Sequence, residues 1–169
     1  DADADIIVLT RFDYDSTGAT LRAFADLVDG DHAFVQPLRS NAGIPTAFDM
    51  DGDGRLGEAE DAQAFGRFPG QEALAVLSRF PIDTEGLRSF NDILWRDLPD
   101  ALVTADDIGL DVQRLSSGGH WIVPVILPDT GTGAFVSLLI GHAGPPVFDG
   151  LEDRNGRRNR DELRLWAQI

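Results

Sequence analysis

The apolar positions of this chain fall into short runs whose spacing indicates the elements that they form. The run at residues 6–9 consists of four consecutive apolar side chains and predicts a buried strand. A helix is predicted to follow it, capped by Ser16 or Thr17, running to about residue 29 and ended by Gly30. The apolar stripe of this helix consists of Leu21, Phe24, Leu27 and Val28.

Three further strands and a closing helix are predicted in the rest of the chain. A turn at residues 128–133 joins the last two strands as a hairpin, and Pro124 places the first strand of that hairpin at a sheet edge or a bulge. Residues 37–72 are rich in Pro and Gly and predict an irregular region. These elements predict one α/β (α+β) domain over residues 1–169, with a mixed, mostly antiparallel sheet and covering helices. The strands are Leu74–Phe80, Trp121–Leu127 and Ala134–Ile140, and the helix is Asp161–Ile169.

Charge and composition narrow the classes of function. The net charge is −15, and an acidic surface repels phosphate backbones, so non-specific nucleic-acid binding is not expected. All 14 basic residues are arginines, which excludes lysine chemistry. The absence of cysteine excludes disulfides, thiolate zinc sites and cysteine catalysis. No apolar run approaches the ~20 residues of a membrane-spanning helix.

Residues 49–60 follow the ligand pattern of an EF-hand calcium loop. Gly54 stands where such a loop turns sharply, and Asp61 could replace the last ligand. Close aspartates repel one another unless a cation neutralises them, and this favours Ca²⁺ binding over the alternative of a solvated acidic turn. Flanking helices are not expected, and the predicted role of the ion is structural. The predicted ligands are the side chains of Asp49, Asp51, Asp53 and Glu60 and the carbonyl of Arg55.

A calcium site also bears on where the protein works. Calcium is present outside the cytoplasm at ~10⁻³ M, the range in which weak extracellular modules bind it. The absence of cysteine fits export. We therefore expect an extracytoplasmic or secreted protein.

Histidines and arginines supply the remaining candidate chemistry. His120 and His142 each lie at the end of a predicted strand beside glycines, where side chains face the rim of a cleft. The only arginine-rich patch follows His142 and could bind a phosphate by bidentate contacts. The alternative is a helix start whose arginines pair with their own acidic neighbours. The candidate phosphate ligands are Arg154, Asn155, Arg157 and Arg158.

Five segments together resemble the endonuclease/exonuclease/phosphatase superfamily, in particular a bacterial secreted branch with an inserted Asp-rich loop. The resemblance runs through nearly the whole chain, and the stretch from Pro145 to Asn159 is its most specific part. It implies a two-sheet αββα sandwich, of which this chain holds the middle portion. It also implies hydrolysis of phosphodiesters or phosphomonoesters with a divalent ion, Mg²⁺ or Mn²⁺. The segments are Ile6–Asp15, Asn41–Gly54, Gly70–Pro81, Leu115–Val125 and His142–Glu162.

The resemblance also assigns roles to individual residues. It implies that His142 is the catalytic histidine at the scissile phosphate, that Glu72 holds it with a carboxylate, and that His120 faces the phosphate. A carboxylate beside an imidazole favours the charged form, which suits it to a phosphate dianion.

The chain departs from the family pattern at the metal centre. Arg11 stands where the family places a metal-binding glutamate, and the family's first strand and its terminal Asp-His pair are not in the sequence. We therefore expect the isolated chain to hydrolyse phosphoesters poorly or not at all. The alternative function is a non-catalytic, calcium-stabilised structural or binding module of an extracellular assembly.

The family sandwich pairs two sheets, whereas the predicted strands supply about one. One sheet face would then be bare, and bare apolar patches of that size are rare in monomers. We expect a second copy of the chain, or the missing half of the sandwich, to cover that face. Its predicted apolar residues include Val76, Val123, Val125, Phe135 and Leu139.

Overall fold

The computed structural model describes residues 3–28, 30–128 and 134–169. In this part of the chain two three-stranded antiparallel sheets and two α-helices form an α+β protein, so the predicted class is confirmed. No helix of the described residues is long and apolar enough to cross a membrane. The strands are β1 (Ile6–Thr10), β2 (Phe34–Leu38), β3 (Leu74–Ser78), β4 (Arg88–Ser89), β5 (His120–Ile126) and β6 (Phe135–Gly141), and the helices are α1 (Ala19–Val28) and α2 (Arg154–Leu165).

The first sheet has the order β1-β3-β2, with β3 in the centre. All five residues of β3 are buried, as the continuous apolar run of a central strand requires. Strand β2 was not predicted, because Gln36 and Pro37 interrupt its apolar pattern. Pro37 pairs with Ala75 on an edge strand, a position where the missing N–H of proline is tolerated.

The second sheet has the order β4-β5-β6. The prediction that Pro124 marks an edge strand is wrong, because β5 is central. Proline is tolerated here because β4 pairs only with Trp121 and Ile122 and ends before Pro124. Beyond β4 the carbonyl of Pro124 accepts a hydrogen bond from the Asp83 N–H at 3.0 Å. The hairpin β5–β6 is confirmed, and residues 129–133 of its predicted turn lie outside the described residues.

The inner faces of the two sheets meet in one buried cluster, formed by Leu38, Leu74 and Val76 of the first sheet and Val123 and Ile140 of the second. The expectation of a single sheet with a bare face is therefore wrong for three of its five residues. Val76, Val123 and Val125 are fully buried, because β2 and β4 supply strands that the sequence pattern did not reveal. Phe135 and Leu139 remain exposed, but on the opposite face of the second sheet from Val123 and Val125, since they pair with Ile126 and Ile122.

Helix α1 covers the outer face of the first sheet. Leu21 and Ala25 pack on Ala75 and Leu77 of β3. Leu27 does not belong to the buried stripe and is 84% exposed, since it lies about 120° around the helix from Leu21 at 100° per residue.

The N-terminus of α1 is capped mainly by the Asp15 carboxylate, whereas the prediction named a single hydroxyl, that of Ser16 or Thr17. Asp15 Oδ1 accepts the N–H of Thr17 at 2.9 Å, and its Oδ2 accepts the N–H of Thr20 at 3.1 Å. Thr17, one of the predicted caps, accepts the N–H of Ala19 through its hydroxyl at 3.3 Å. The Thr17 hydroxyl also donates to Asp15 Oδ1 at 2.7 Å. This bond first, and then the N–H groups of Thr20 and Thr17, lower the pKa of Asp15 to about 2.

Helix α2 begins at Arg154, seven residues before the predicted start at Asp161. Trp166, directly after its last residue, lies 5.1 Å from the His120 ring on the outer side of the second sheet. Asp161 is fully buried and accepts hydrogen bonds from Trp95 Nε1 at 2.9 Å and from the Leu102 N–H at 2.6 Å. The helix thus ties the region of Trp95 to the second sheet.

Candidate functional site

The candidate site lies in the long segment between β2 and β3, which Asn41 anchors. Asn41 is buried, and its Nδ2 donates to the carbonyls of Asn91 and Ser116 at 2.7 Å each. Its Oδ1 accepts a hydrogen bond from Arg114 Nη1 at 2.9 Å. The irregular region predicted from its Pro and Gly content is therefore held by side-chain hydrogen bonds together with scattered backbone bonds, such as that from the Gln63 N–H to the Ile44 carbonyl at 2.8 Å, rather than by a helix or a regular sheet ladder.

The predicted calcium loop is folded around Asp49. One oxygen of that carboxylate accepts the N–H groups of Gly52 at 2.7 Å and Asp53 at 3.1 Å, and the other accepts the N–H of Gly54 at 2.8 Å. Gly52 and Gly54 have φ angles of 77° and 88°, in the left-handed region that favours glycine. The tight turn expected at Gly54 is therefore present, and no helix flanks the loop among the described residues.

Asp61 closes this loop from the other end. It is 3% exposed, and its carboxylate accepts the N–H groups of Met50 at 2.8 Å and Gly57 at 2.7 Å. One carboxylate oxygen from each of Asp49, Asp51 and Asp61 lies within 4.8 Å of the other two. Asp61, which the sequence offers as the substitute for the last ligand, thus takes the place predicted for Glu60.

The other predicted ligands lie outside this group of three carboxylates. Asp53 accepts the N–H of Arg55 through Oδ1 at 2.8 Å, and its Oδ2 lies 3.7 Å from the Arg55 guanidinium. The Glu60 side chain lines a neighbouring groove. Asp53 is occupied by the turn at Arg55 because an aspartate readily accepts the N–H two residues on.

Negative charge is crowded at this loop. The N–H of Gly54 and its neighbours lower the pKa of Asp49. The pKa of Asp51 is raised: the Asp53 N–H acts to lower it, but burial and the charges of Asp53 and Asp49 outweigh that bond. Burial first, and then the surrounding carboxylates, raise the pKa of Glu58. A bound cation would relieve this repulsion.

A groove of about 1440 Å³ runs beside the loop, and Asp51 and Glu60 line one part of it. It brings together most of the residues that the sequence assigns to catalysis and phosphate binding. His120 is the exception among them. The assigned residues in its lining are Glu72, His142, Arg154, Asn155, Arg157 and Arg158, and Arg11 lines it too.

His142 follows β6 directly, and two hydrogen bonds fix its backbone. Its N–H donates to the Gly119 carbonyl at 3.2 Å, and its carbonyl accepts the N–H of Gly118 at 3.0 Å. A Cβ built on Gly118 would lie 2.8 Å from Nδ1 of His142, closer than real Cβ contacts. The ring position therefore depends on glycine at residue 118.

Glu72 is ion-paired with Arg11 rather than hydrogen-bonded to His142. Arg11 Nη2 lies 2.5 Å from Glu72 Oε1. Both residues have left-handed backbones, with φ angles of 60° and 49°, and the Glu72 N–H donates to Asp13 Oδ1 at 2.9 Å. The groove thus holds an arginine–glutamate pair at the position where the resemblance implies a metal-binding glutamate.

The expectation that His120 faces a phosphate does not agree with the structure. His120 is 2% exposed, and its ring nitrogens contact the Ser116 hydroxyl at 2.8 Å and the Glu162 carbonyl at 3.0 Å. Burial lowers its pKa to about 4. The ring points to the outer side of the second sheet because side chains alternate along β5, and that side is covered by Trp166.

Two of the predicted phosphate ligands are occupied by bonds within the protein. Arg157 makes a bidentate pair with Asp107, with both N–O distances 2.8 Å. Burial opposes the charge of Asp107, but the hydrogen bond of Arg157 prevails and lowers the pKa to about 2. Arg158 is buried and donates to the carbonyls of Leu115 at 3.0 Å and Gln63 at 2.8 Å. Both residues therefore make bonds within the protein, but not with the neighbouring acidic residues that the alternative named: Arg157 pairs with Asp107, and Arg158 bonds backbone carbonyls.

Arg154 and Asn155 are placed differently. Arg154 Nη2 donates to Gln113 Oε1 at 2.9 Å, whereas its buried Nε has no hydrogen-bond partner. Nε lies 3.6 Å from Asp107, within ion-pair distance. Asn155 Nδ2 donates to the Val147 carbonyl at 2.9 Å and so holds the loop before α2.

Glu162 was missed by sequence reasoning. Its carboxylate is fully buried beside the groove, where it accepts the N–H of Ser117 through one oxygen and that of Gly144 through the other at 2.8 Å. Burial raises its pKa, and the charge of Arg158 acts in the opposite direction. Glu162 links the segments that carry Gly118 and His142. No local pattern in the charged run around it distinguishes it from its neighbours.

Comparison with protein-family models, curated proteins and solved structures finds no match for this chain.

Proposed function

We propose that Asp49, Asp51 and Asp61 bind a divalent cation and that the cation is calcium. The observation that carries the proposal is the convergence of these three carboxylates within 4.8 Å. A donor set made only of carboxylate oxygens suits hard cations, and Ca²⁺ accepts irregular oxygen shells more readily than Mg²⁺ does. The raised pKa of Asp51 fits this interpretation, since it reflects repulsion that a cation would remove.

Calcium is expected to raise the melting temperature of the chain. Binding to the native state alone adds about 2.7 kcal/mol to the free energy of unfolding at a hundredfold excess over the dissociation constant. Thermal unfolding should be measured with calcium and with a chelator for the wild type, Asp51→Asn and Asp61→Asn. Asp26→Asn, at an exposed position of α1, is the matched control and should respond as the wild type does. Identical wild-type curves with calcium and with chelator would refute calcium binding.

We further propose that the groove binds phosphoesters. The supporting observation is that one groove collects His142 together with the guanidinium groups of Arg11 and Arg154. The two sheets contact each other through one buried cluster, and α1 lies on the outer face of the first sheet. This arrangement supports the αββα sandwich of phosphoesterases that the resemblance implies. In this proposal Arg154 attracts the phosphate and His142 lies beside it. The bonds of Glu162 and Gly118 keep the His142 segment in place.

The groove does not fit the catalytic Mg²⁺ or Mn²⁺ that the resemblance implies. Glu72 is paired with Arg11 at 2.5 Å, and a guanidinium at that point repels a divalent ion. Among the described residues the only group of three candidate metal ligands is the one in the calcium loop. We therefore propose binding of phosphoesters with little or no hydrolysis.

The hydrolysis part of this proposal is tested with a bis-aryl phosphodiester in the presence of calcium, magnesium or manganese. The wild type should turn over far more slowly than the ~10 s⁻¹ typical of enzymes. Arg11→Glu adds a carboxylate beside Glu72 and should raise magnesium-dependent turnover, whereas Arg11→Gln, which removes the cation without adding a ligand, should not. Wild-type turnover near ~10 s⁻¹ that is lost in His142→Ala would show that we are wrong.

The second candidate function is a non-catalytic, calcium-stabilised structural or binding module of an extracellular assembly. The Arg11–Glu72 pair favours it, because it occupies the place of a catalytic metal ligand. A calcium-dependent melting temperature without phosphoester binding would support this second function. In either case the calcium requirement agrees with the expected extracytoplasmic location, since calcium is plentiful there at ~10⁻³ M.

A further inference from the structure

We propose that the phosphoesters bound in the groove carry an apolar alcohol group, such as an alkyl chain or an unsubstituted aromatic ring. The proposal rests on the proposed phosphoester function and names the substrate class of the same site. It is carried by four exposed hydrophobic residues that line the groove, here called the apolar wall. The apolar wall consists of Phe65, Ile108, Val147 and Phe148.

All four side chains of the apolar wall are exposed. Phe148 is 89% exposed, and Phe65 is 60% exposed. Val147 and Ile108 are 48% and 44% exposed. Single exposed hydrophobic residues are normal, but several in one concave site mark a place where an apolar group is bound.

The backbone at Phe148 is strained. Its φ angle is 72°, in the left-handed region that a bulky side chain seldom adopts. Hydrogen bonds on both sides keep it there: the Val147 carbonyl accepts Asn155 Nδ2 at 2.9 Å, and Asp149 Oδ2 accepts the Asn155 N–H. Strain of this kind persists where the surroundings fix it, and it is concentrated at binding sites. Here it holds an aromatic ring out in the groove.

Several polar groups near the apolar wall are already bonded within the protein. Asn155 bonds the Val147 carbonyl, Asp149 bonds the Asn155 N–H, and Asp107 is paired with Arg157. A sugar or a nucleobase needs hydrogen-bond partners for its polar edges and loses them on leaving water. An alkyl chain or a plain aromatic ring has no such need, so it fits this wall better.

The charge of the groove points in the same direction. Eight carboxylates and four guanidinium groups line it, an excess of negative charge that disfavours nucleic acids and other polyanions. A ligand with one phosphate places its charge at Arg154 and offers an uncharged remainder to the apolar wall. The acidic lining consists of Asp51, Glu60, Glu72, Asp106, Asp107, Asp149, Glu152 and Glu162.

Binding can be measured by calorimetry on the full chain in calcium-containing buffer, with methyl phosphate, n-octyl phosphate, 1-naphthyl phosphate and adenosine monophosphate. Octyl and naphthyl phosphate should bind at least about tenfold more tightly than methyl phosphate, because only they bury an apolar group. Adenosine monophosphate should resemble methyl phosphate. The gain should disappear in Phe148→Ser and in Phe65→Ser. Phe135→Ser, an equally apolar and 64% exposed position on β6 outside the groove lining, should keep it.

The outcomes separate the two proposals. Equal affinity for methyl and octyl phosphate, with both lost in Arg154→Gln, would overturn the substrate class and leave phosphoester binding intact. Tighter binding of octyl phosphate that survives both Phe148→Ser and Phe65→Ser would also overturn it. Binding of none of the four esters would overturn phosphoester binding itself. Melting temperatures of the variants in the same buffer establish that each is folded.

Discussion

The two ring nitrogens of His120 have different partners, and these partners fix its chemistry. Nε2 lies 3.0 Å from the Glu162 carbonyl, which can only accept, so Nε2 carries the proton. Nδ1 therefore accepts the hydrogen bond from the Ser116 hydroxyl at 2.8 Å. The ring is neutral, has no free nitrogen and is 2% exposed, which makes it a structural group rather than a ligand for phosphate.

Protonation of His120 is expected to destabilise the fold at low pH. Its pKa is lowered from 6.5 to about 4, so the unfolded chain binds the proton more tightly than the folded chain does. The free energy of unfolding should therefore be highest above pH ~6.5, fall as the pH drops towards ~4, and lose about 3 kcal/mol from this group. His120→Gln, which can still donate and accept, should flatten the pH dependence in that interval. Chemical denaturation at a series of pH values measures this, and parallel curves for the two proteins would contradict it.

At the residue scale, the sequence predicts which neighbouring residues of one loop lie together in the candidate site. It does not predict which distant residues they or the arginines contact. Asp49 and Asp51 were predicted because their spacing in one loop brings them together, and the structure places them in one group. Arg157 and Asp107 pair although they are 50 positions apart, and no pattern in the sequence predicts this pair. Contacts between distant residues follow from the tertiary fold, so an arginine patch alone cannot distinguish a phosphate site from an internal ion pair.

The start of helix α2 was predicted too late because of the kind of residues that it buries. Its buried residues recur at the spacing of one helix face, but three of the four are charged, namely Arg158, Asp161 and Glu162. A search for apolar periodicity finds only Leu165 on that face and places the helix too late. Strands β2 and β4 were missed for a related reason, since a proline interrupts the first and the second has two residues. The four predicted strands each contain a run of at least three apolar residues, whereas β2 contains two, and all four are present.

The long segment between β2 and β3 depends on Asn41, and its removal should destabilise the fold. Asn41→Ala breaks three hydrogen bonds, two of them buried, and leaves the carbonyls of Asn91 and Ser116 without this donor. We expect a loss of about 3 kcal/mol in the free energy of unfolding, at about 1 kcal/mol for each bond. Asn159→Ala is the matched control, since it removes the hydrogen bond to the Gly144 carbonyl, and it should cost about 1 kcal/mol. Urea denaturation of the two variants compares them, and equal losses would contradict the anchoring role.

At the scale of the whole molecule, charge couples the loop to the groove. The net charge is −15, and Asp51 and Glu60 belong to the lining of the groove that also contains His142. A cation bound by Asp51 would reduce the negative potential that an incoming phosphate meets. The calcium loop and the groove are thus two parts of one electrostatic surface, although the predicted role of the ion is structural.

The last prediction concerns self-association of the whole chain. The face that carries Val123 is buried between the two sheets, whereas the outer side of the β5–β6 hairpin exposes Ile126, Phe135 and Leu139, by 41%, 64% and 56%. Strand β6 is also the edge of its sheet, where unpaired backbone groups can pair with another chain. We expect a second copy to cover this surface, so that light scattering at ~10 μM gives a mass above the 18.3 kDa of one chain.

Leu139→Lys should restore the monomer, because a charged lysine protects an exposed edge. Leu27→Lys, at the 84% exposed position of α1, should leave the mass unchanged. A wild-type monomer that binds no hydrophobic dye would show that the chain needs no partner on this side.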